Sequence, residues 1–237
     1  VTIEDNTILG VDSPSATGIF TTVASGNDAA VQIDGNTITG LSGSSGIALD
    51  VSDFNNDATD AEGLLIGDTT ANEFDSNGIH IDYDSDSNDG DLDATVLDDN
   101  NEFATFAYHV ENRDDSFDPD DLQSEELYGT VEAAIAGTAN GEWAHVRSGI
   151  YEESGLQLNQ ANLVAANPDN QPTITSDKQS TLLTLDTAER VDGFTFASTT
   201  DSANADVDIT DGDAELSNST FTGPGTDDRI AVQISAA

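Results

Sequence analysis

Apolar and polar positions alternate in short runs along most of this chain. Val1, Ile3 and Ile8 are apolar with polar neighbours, and Val31, Ile33 and Ile38 repeat the arrangement. A period of two predicts half-buried strands rather than helix. Residues 1–10, 31–40 and 214–223 are rewrites of one another: an alternating apolar run, a polar turn with Asn, a second short apolar run, then Gly. Non-adjacent copies of this kind predict a chain wound into stacked coils.

A second set of strands follows the first, around Ile19, Ile47 and Ile79. Their spacings are 28 and 32, and Ile3 to Ile33 is 30. Residues 64–68 with 72–74, and 96–103, extend the first set. A period near 30 with several short strands suits a parallel β-helix, in which each turn lies about 4.8 Å from the last. The pattern breaks at residues 113–127, where Arg113-Asp114-Asp115-Ser116-Phe117-Asp118-Pro119 is acidic, carries Pro and does not alternate. Thr130 then stands at an N-cap, Glu132 lies in a first turn, and Val131, Ala134 and Ile135 share one helix face. Strand patterns resume from Trp143 to the end, and residues 214–237 overlie 1–24 with Gly10 and Gly223 in register. The expected organisation is 1–112 as the last coils of a first β-helix, 113–127 as an acidic linker, and 128–237 as a cap helix with the first coils of a second.

Residues 65–81, Leu65 through Ile81, resemble the coil of right-handed parallel β-helix surface proteins of the pectate-lyase-like superfamily. The Asn-Thr-Ile-x-Gly turns at Asn6 and Asn36 are similar. The helix, then Trp143-Ala144-His145-Val146-Arg147-Ser148-Gly149-Ile150-Tyr151-Glu152-Glu153, resembles the N-terminal entry of pectin-methylesterase-like domains. There a helix caps the first coil and covers its open strand edges. The resemblance implies an all-β fold: a right-handed parallel β-helix (solenoid), with a short N-terminal capping helix on the second segment.

Charge changes the picture next. There are 47 acidic residues (34 Asp, 13 Glu) against 5 basic, a formal charge of -42. Such a surface repels itself in dilute buffer. Molar salt shortens the screening length to roughly 3 Å and removes most of that penalty. The composition resembles proteins of extreme halophiles, so the expected setting is extracellular or cell-surface in a hypersaline environment. Nucleic-acid binding through phosphates is excluded by the shortage of basic residues. No stretch is apolar enough for membrane insertion. Without Met or Cys, the chain reads as a segment of a longer protein with no disulfide framework and no thiolate metal site.

Three candidate chemistries remain. Asp82, Asp84, Asp86, Asn88, Asp91 and Asp93 alternate as oxygen ligands in a calcium-type loop. The loop departs from the EF-hand pattern, because Asp89 precedes Gly90 and no Glu closes it; the alternative is a solvated acidic insertion. Trp143, His145, Arg147 and Tyr151 form a candidate carbohydrate platform, with burial and pairing to Glu142, Glu152 or Glu153 as the alternative. Catalysis has no recognisable block: only Gly149-x-Tyr151-x-Glu153 of the pectin methylesterase pattern is present, and Arg190 or Lys178 as a lyase base is fixed by no motif. His80 and His109 are expected to point outward into solvent. The expected function is therefore a structural or adhesive segment of a large secreted or cell-surface repeat protein. Its expected partners are carbohydrate or a cell-surface molecule, with Ca2+ as the one cofactor considered and the oligomeric state open. The alternatives are a polysaccharide-active lyase or esterase, and a viral tail-spike or receptor-binding fibre.

Overall fold

The computed structural model describes residues 1–10, 16–22, 31–41, 46–52, 64–67, 69–75, 77–84, 101–110, 126–176, 180–198, 205–223 and 230–235. The protein is mostly β, with stacked parallel sheets and, among the described residues, one short helix. It divides into two compact units. The first holds residues 1–104 and 115–129; the second holds 105–114 and 130–237.

In the first unit the chain visits three sheets in rotation. Thr2–Glu4, Val31–Asp34 and Leu64–Ile66 form the first, parallel and in register, with Ile3 beside Ile33 and Ile33 beside Ile66. Thr7–Leu9, Thr37–Thr39, Glu73–Asp75 and Glu102–Phe103 form the second, with Ile8, Ile38, Phe74 and Phe103 in one row. Thr17–Thr22, Ile47–Ser52 and Ile79–Asp84 are parallel in the third, and Glu126–Tyr128 pairs antiparallel with Ile79–Asp84. Ile19 stands beside Leu49 rather than Ile47, and Leu49 beside Ile81. The expected Ile19–Ile47 pairing is thus corrected by two residues, which keeps the same face inward and restores the spacing of 30 seen from Ile3 to Ile33. Ile33, Ile38, Leu49, Phe74 and Ile81 are fully buried. Each such side chain contributes about 1.5–3 kcal/mol of transfer free energy.

The turn between the first two sheets explains the repeated Asn. Asp5 and Gly35 take left-handed backbone, at φ 54 and 62, which turns the next residue inward. That residue is Asn6 in one coil and Asn36 in the next. Asn36 Oδ1 accepts from Asn6 N (3.1 Å) and Asn6 Nδ2 (3.0 Å). Asn72 Oδ1 accepts from Asn36 N and Nδ2 (both 3.0 Å), and Asn101 Oδ1 from Asn72 N (3.2 Å) and Nδ2 (2.8 Å). Asn36 and Asn72 therefore each join their coil to the one before it and the one after.

The second unit repeats the plan. Trp143–Val146, Asn162–Ala165, Arg190–Asp192 and Glu215–Ser217 are parallel in one sheet, with Ala107–Val110 antiparallel to Trp143–Val146. Ile150–Glu152, Thr173–Ser176, Thr195–Ser198 and Thr220–Thr222 make the second sheet. Leu156–Gln157, Leu183–Leu185, Ala205–Ile209 and Ile230–Ile234 make the third. Its apolar rows run Ala144–Leu163–Val191–Leu216, Tyr151–Ile174–Phe196–Phe221 and Leu156–Leu183–Val207–Val232. Phe196 and Phe221 stack with centroids 5.4 Å apart. The helix spans Val131–Gly137 and packs on Ala107–Val110, Trp143–Val146 and Leu156–Gln157. Thr130 caps it, its Oγ1 accepting from Ala133 N at 3.1 Å. Val131, Ala133, Ala134 and Ile135 are buried while Glu132 faces solvent, as the apolar spacing requires.

Candidate functional site

The residues proposed for sugar binding lie together in the second unit, but inside it. Ala144 and Val146 point to the core, so Trp143 and His145 take the opposite face of the strand, as alternation demands. That face is covered as well: Trp143, His145 and Tyr151 are buried, and Arg147 is half-buried. They therefore form a packed cluster and not an open platform. Tyr108 stands opposite His145 across the antiparallel pair, with its Oη 3.3 Å from His145 Nδ1 and the rings 5.3 Å apart. Burial pushes the Tyr108 hydroxyl up to about 12, and the Arg147 charge opposes this. The Arg147 guanidinium lies 5.1 Å from the centre of the Phe106 ring, a cation–π distance.

Tyr151 holds this cluster shut. Its hydroxyl contacts Phe106 O (2.9 Å) and Arg147 O (3.0 Å), and accepts from Phe106 N (3.2 Å). Burial pushes the pKa of this hydroxyl well above the ordinary phenol range; the bond to Phe106 and the Arg147 charge oppose this, while the nearby Glu153 charge adds to the rise.

Among the described residues of the unit, Glu153 is the carboxyl whose titration is clearly shifted. Burial lifts it to about 7; the N–H groups of Val131 and Glu132 pull the other way, and the Glu132 charge adds to the rise. A carboxyl titrating near neutrality is suited to acid–base chemistry. Here both oxygens are already engaged: Oε1 accepts from Val131 N (2.7 Å) and Oε2 from Glu132 N (2.8 Å). Those are the first two amides of the helix, which have no partner within it. Glu153 is thus a cap delivered from 21 and 22 residues away. Glu189 does similar work at a turn, 1% exposed and accepting from Gln160 N, Asp186 N and Thr187 N. Asp192 Oδ1 accepts from Ser217 Oγ (2.8 Å) and Asn218 Nδ2 (2.7 Å). Glu189 and Asp192 are buried and Glu153 is half-buried, yet all three look like acidic surface residues in the sequence, and only their partners distinguish them. The Gly149-x-Tyr151-x-Glu153 spacing was the one available signal.

Of the calcium-loop residues, Asp82 lies half-buried on Ile79–Asp84 with Asp50 as its neighbour across the parallel pair. The Asp84 backbone ends that strand; Asp86, Asn88, Asp91 and Asp93 lie outside the described residues. Among the described residues no group of three His, Asp or Glu side chains is placed to hold a metal. Arg190, one candidate base, lies 3.7 Å from Glu215 in an exposed pair; Lys178 lies outside the described residues. Asn218, in its Asn-Ser-Thr run, has left-handed backbone at φ 47 and serves the turn.

His80 overturns an expectation. It was placed in solvent by alternation with Ile79 and Ile81, yet it is fully buried. Its ring lies 5.9 Å from Phe74 and 5.4 Å from Phe103, and its Nδ1 is 3.5 Å from Asn77 Nδ2. Gly129 passes directly over it: a Cβ at Gly129 would lie 2.5 Å from His80 Cε1 and collide with the Asn77 carbonyl. The backbone of Glu126–Tyr128 and Gly129 returns to this unit from a distant part of the sequence, which alternation within Ile79–Asp84 could not reveal. The side chain of His109 is outside the described residues. Comparison of the chain with protein-family models, with curated proteins and with solved structures gave no match.

Proposed function

We propose that each unit is a right-handed parallel β-helix and that the chain is a structural or adhesive segment of a large secreted or cell-surface repeat protein working in high salt. The observation that carries this reading is the continuous Asn6–Asn36–Asn72–Asn101 row, bonded amide to amide through four coils. Such a row spends its polar groups on joining coils, which serves length and rigidity and leaves nothing over for a substrate. Trp143, His145, Tyr151 and Arg147 of the second unit are likewise engaged in packing. The charge of -42 supports a surface kept apart from its neighbours and soluble in brine. In this setting calcium in the loop that begins at Asp82, and carbohydrate or a cell-surface partner, are proposed ligands of the outer surface.

Circular dichroism against KCl, with and without calcium, tests the salt half of the reading: folded signal is expected to rise from dilute buffer to molar salt. A flat profile refutes it. Incubation with neutral and acidic polysaccharides in molar KCl tests the other half, since release of reducing ends or unsaturated sugars would replace a structural role with catalysis.

A further inference from the structure

Glycine follows asparagine at two positions of the chain, Asn77-Gly78 and Asn140-Gly141. Such a pair carries a chemistry of its own. The backbone nitrogen after an Asn can attack the Asn side-chain carbonyl carbon, and glycine has no Cβ to hinder the approach. The new N–C bond closes a cyclic imide. The bond from that carbon to Nδ2 breaks, and the NH2 group leaves as ammonia with the proton of the attacking N–H. Water then opens the imide at either carbonyl, which leaves an aspartyl or an isoaspartyl residue. The reaction needs an amide side chain free to turn, a following N–H able to leave its hydrogen bond, and access for water.

Asn77 meets none of these requirements. It is fully buried; its Oδ1 accepts from Leu41 N (3.1 Å) and its Nδ2 donates to Ile38 O (2.9 Å). Gly78 is buried as well, with its N–H donated to Leu41 O at 3.0 Å and its carbonyl accepting from Gly129 N at 2.9 Å. The stack holds both residues of this pair.

Asn140 meets all of them. It is exposed in the turn between the helix Val131–Gly137 and the strand Trp143–Val146. Among the described residues its side chain has no hydrogen-bond partner. Gly141 is exposed, at φ 88, with no atom within 4 Å of the place a Cβ would take, so the ring has room to form. One bond holds the attacking nitrogen: Gly141 N donates to Gln160 O at 2.8 Å. Gln160 is exposed too, and its φ of 74 follows 51 at Asn159, two successive residues in a region that side chains disfavour. An exposed bond onto such a turn opens locally, without global unfolding. The product bears on the helix. A carboxylate at 140 stands just past the C-cap Thr138, where the helix dipole disfavours negative charge.

We propose that Asn140 is a site of non-enzymatic amide loss in the folded protein, and that the stack protects Asn77 from the same reaction.

The test is prolonged incubation of the whole chain in molar KCl near neutral pH, followed by tryptic digestion and mass spectrometry. Cleavage after Arg113 and Arg147 puts Asn77 in peptide 1–113 and leaves Asn140 as the only Asn of peptide 114–147. Fragment spectra place any conversion within 1–113. The folded chain is expected to convert Asn140 at least about tenfold faster than Asn77, whose side chain must first give up two buried hydrogen bonds. The same chain unfolded in urea is expected to convert both at comparable rates. An Asn140 that stays intact in the folded chain, or folded-state conversion of Asn77 as fast as that of Asn140, would overturn the proposal. A preference for Asn140 that persists undiminished in urea would trace it to local sequence and overturn the protective role of the stack.

Discussion

Asn72→Ala is the sharpest perturbation of the stack. The side chain is fully buried and makes four hydrogen bonds: Oδ1 accepts from Asn36 N and Nδ2, and Nδ2 donates to Ile33 O and Asn101 Oδ1, all between 2.8 and 3.0 Å. Alanine removes all four. Ile33 O keeps Gly67 N at 2.9 Å, and Asn36 Nδ2 keeps Asp34 O and Ile3 O. Asn36 N is left buried without an acceptor. At about 1 kcal/mol per net bond, with an added desolvation penalty for the stranded amide, the loss is about 4–6 kcal/mol. That is a large share of the stability of an ordinary domain, about 5–15 kcal/mol. Asn6→Ala is the control. Asn6 is exposed, and its side chain donates to Glu4 O and Asn36 Oδ1 only, so its loss is about 1 kcal/mol or less. Urea unfolding in molar KCl separates the two, since urea leaves ionic strength constant and its midpoint reports stability at fixed slope. Equal midpoints for the two variants would refute the claim that the buried amides tie coil to coil.

Two further predictions concern the second unit. Tyr151→Phe removes a hydroxyl that bonds Phe106 N, Phe106 O and Arg147 O; a loss of about 2–4 kcal/mol is expected in the same urea assay, with no loss refuting the staple. Glu153 titrates near 7 when folded against an ordinary value of 4.5, so the unfolded state ionises first as pH rises. Its contribution is then fully present below about 4.5 and is lost as pH rises through about 7. NMR titration of the Glu153 carboxyl should show this high midpoint, and Glu153→Gln should lack the corresponding slope, so the difference in stability between parent and variant should change between about pH 4.5 and 7. A midpoint in the ordinary carboxylate range would refute the burial argument.

The stacking rows were legible because they repeat. Ile3 with Ile33 and Ile8 with Ile38 follow from identical local patterns, and the Asn turn follows from the one backbone shape those patterns share. Thr130 and the apolar face of Val131, Ala134 and Ile135 carried the helix in the same way. What was not legible depends on segments distant in sequence. His80 is buried by the return of Glu126–Tyr128 and Gly129, and Tyr108 meets His145 because residues 105–114 belong to the second unit. Strand alternation names two faces but not what covers the outer one, so for Trp143 and His145 it left an open platform and burial both standing. Among 47 acidic residues, Glu153 and Glu189 carry no local mark of burial.

Parallel, in-register stacking is tested most directly by crosslinking, because the chain has no cysteine of its own. Thr7 and Thr37 are partners in adjacent strands, about 4.8 Å apart at Cα, inside the disulfide window. Thr39 lies two residues further along, which takes the separation beyond about 7 Å. Mild oxidation in molar KCl should close the disulfide in Thr7→Cys/Thr37→Cys and leave Thr7→Cys/Thr39→Cys as free thiols. Closure of the second pair in preference to the first, or of neither, would contradict the stacked register.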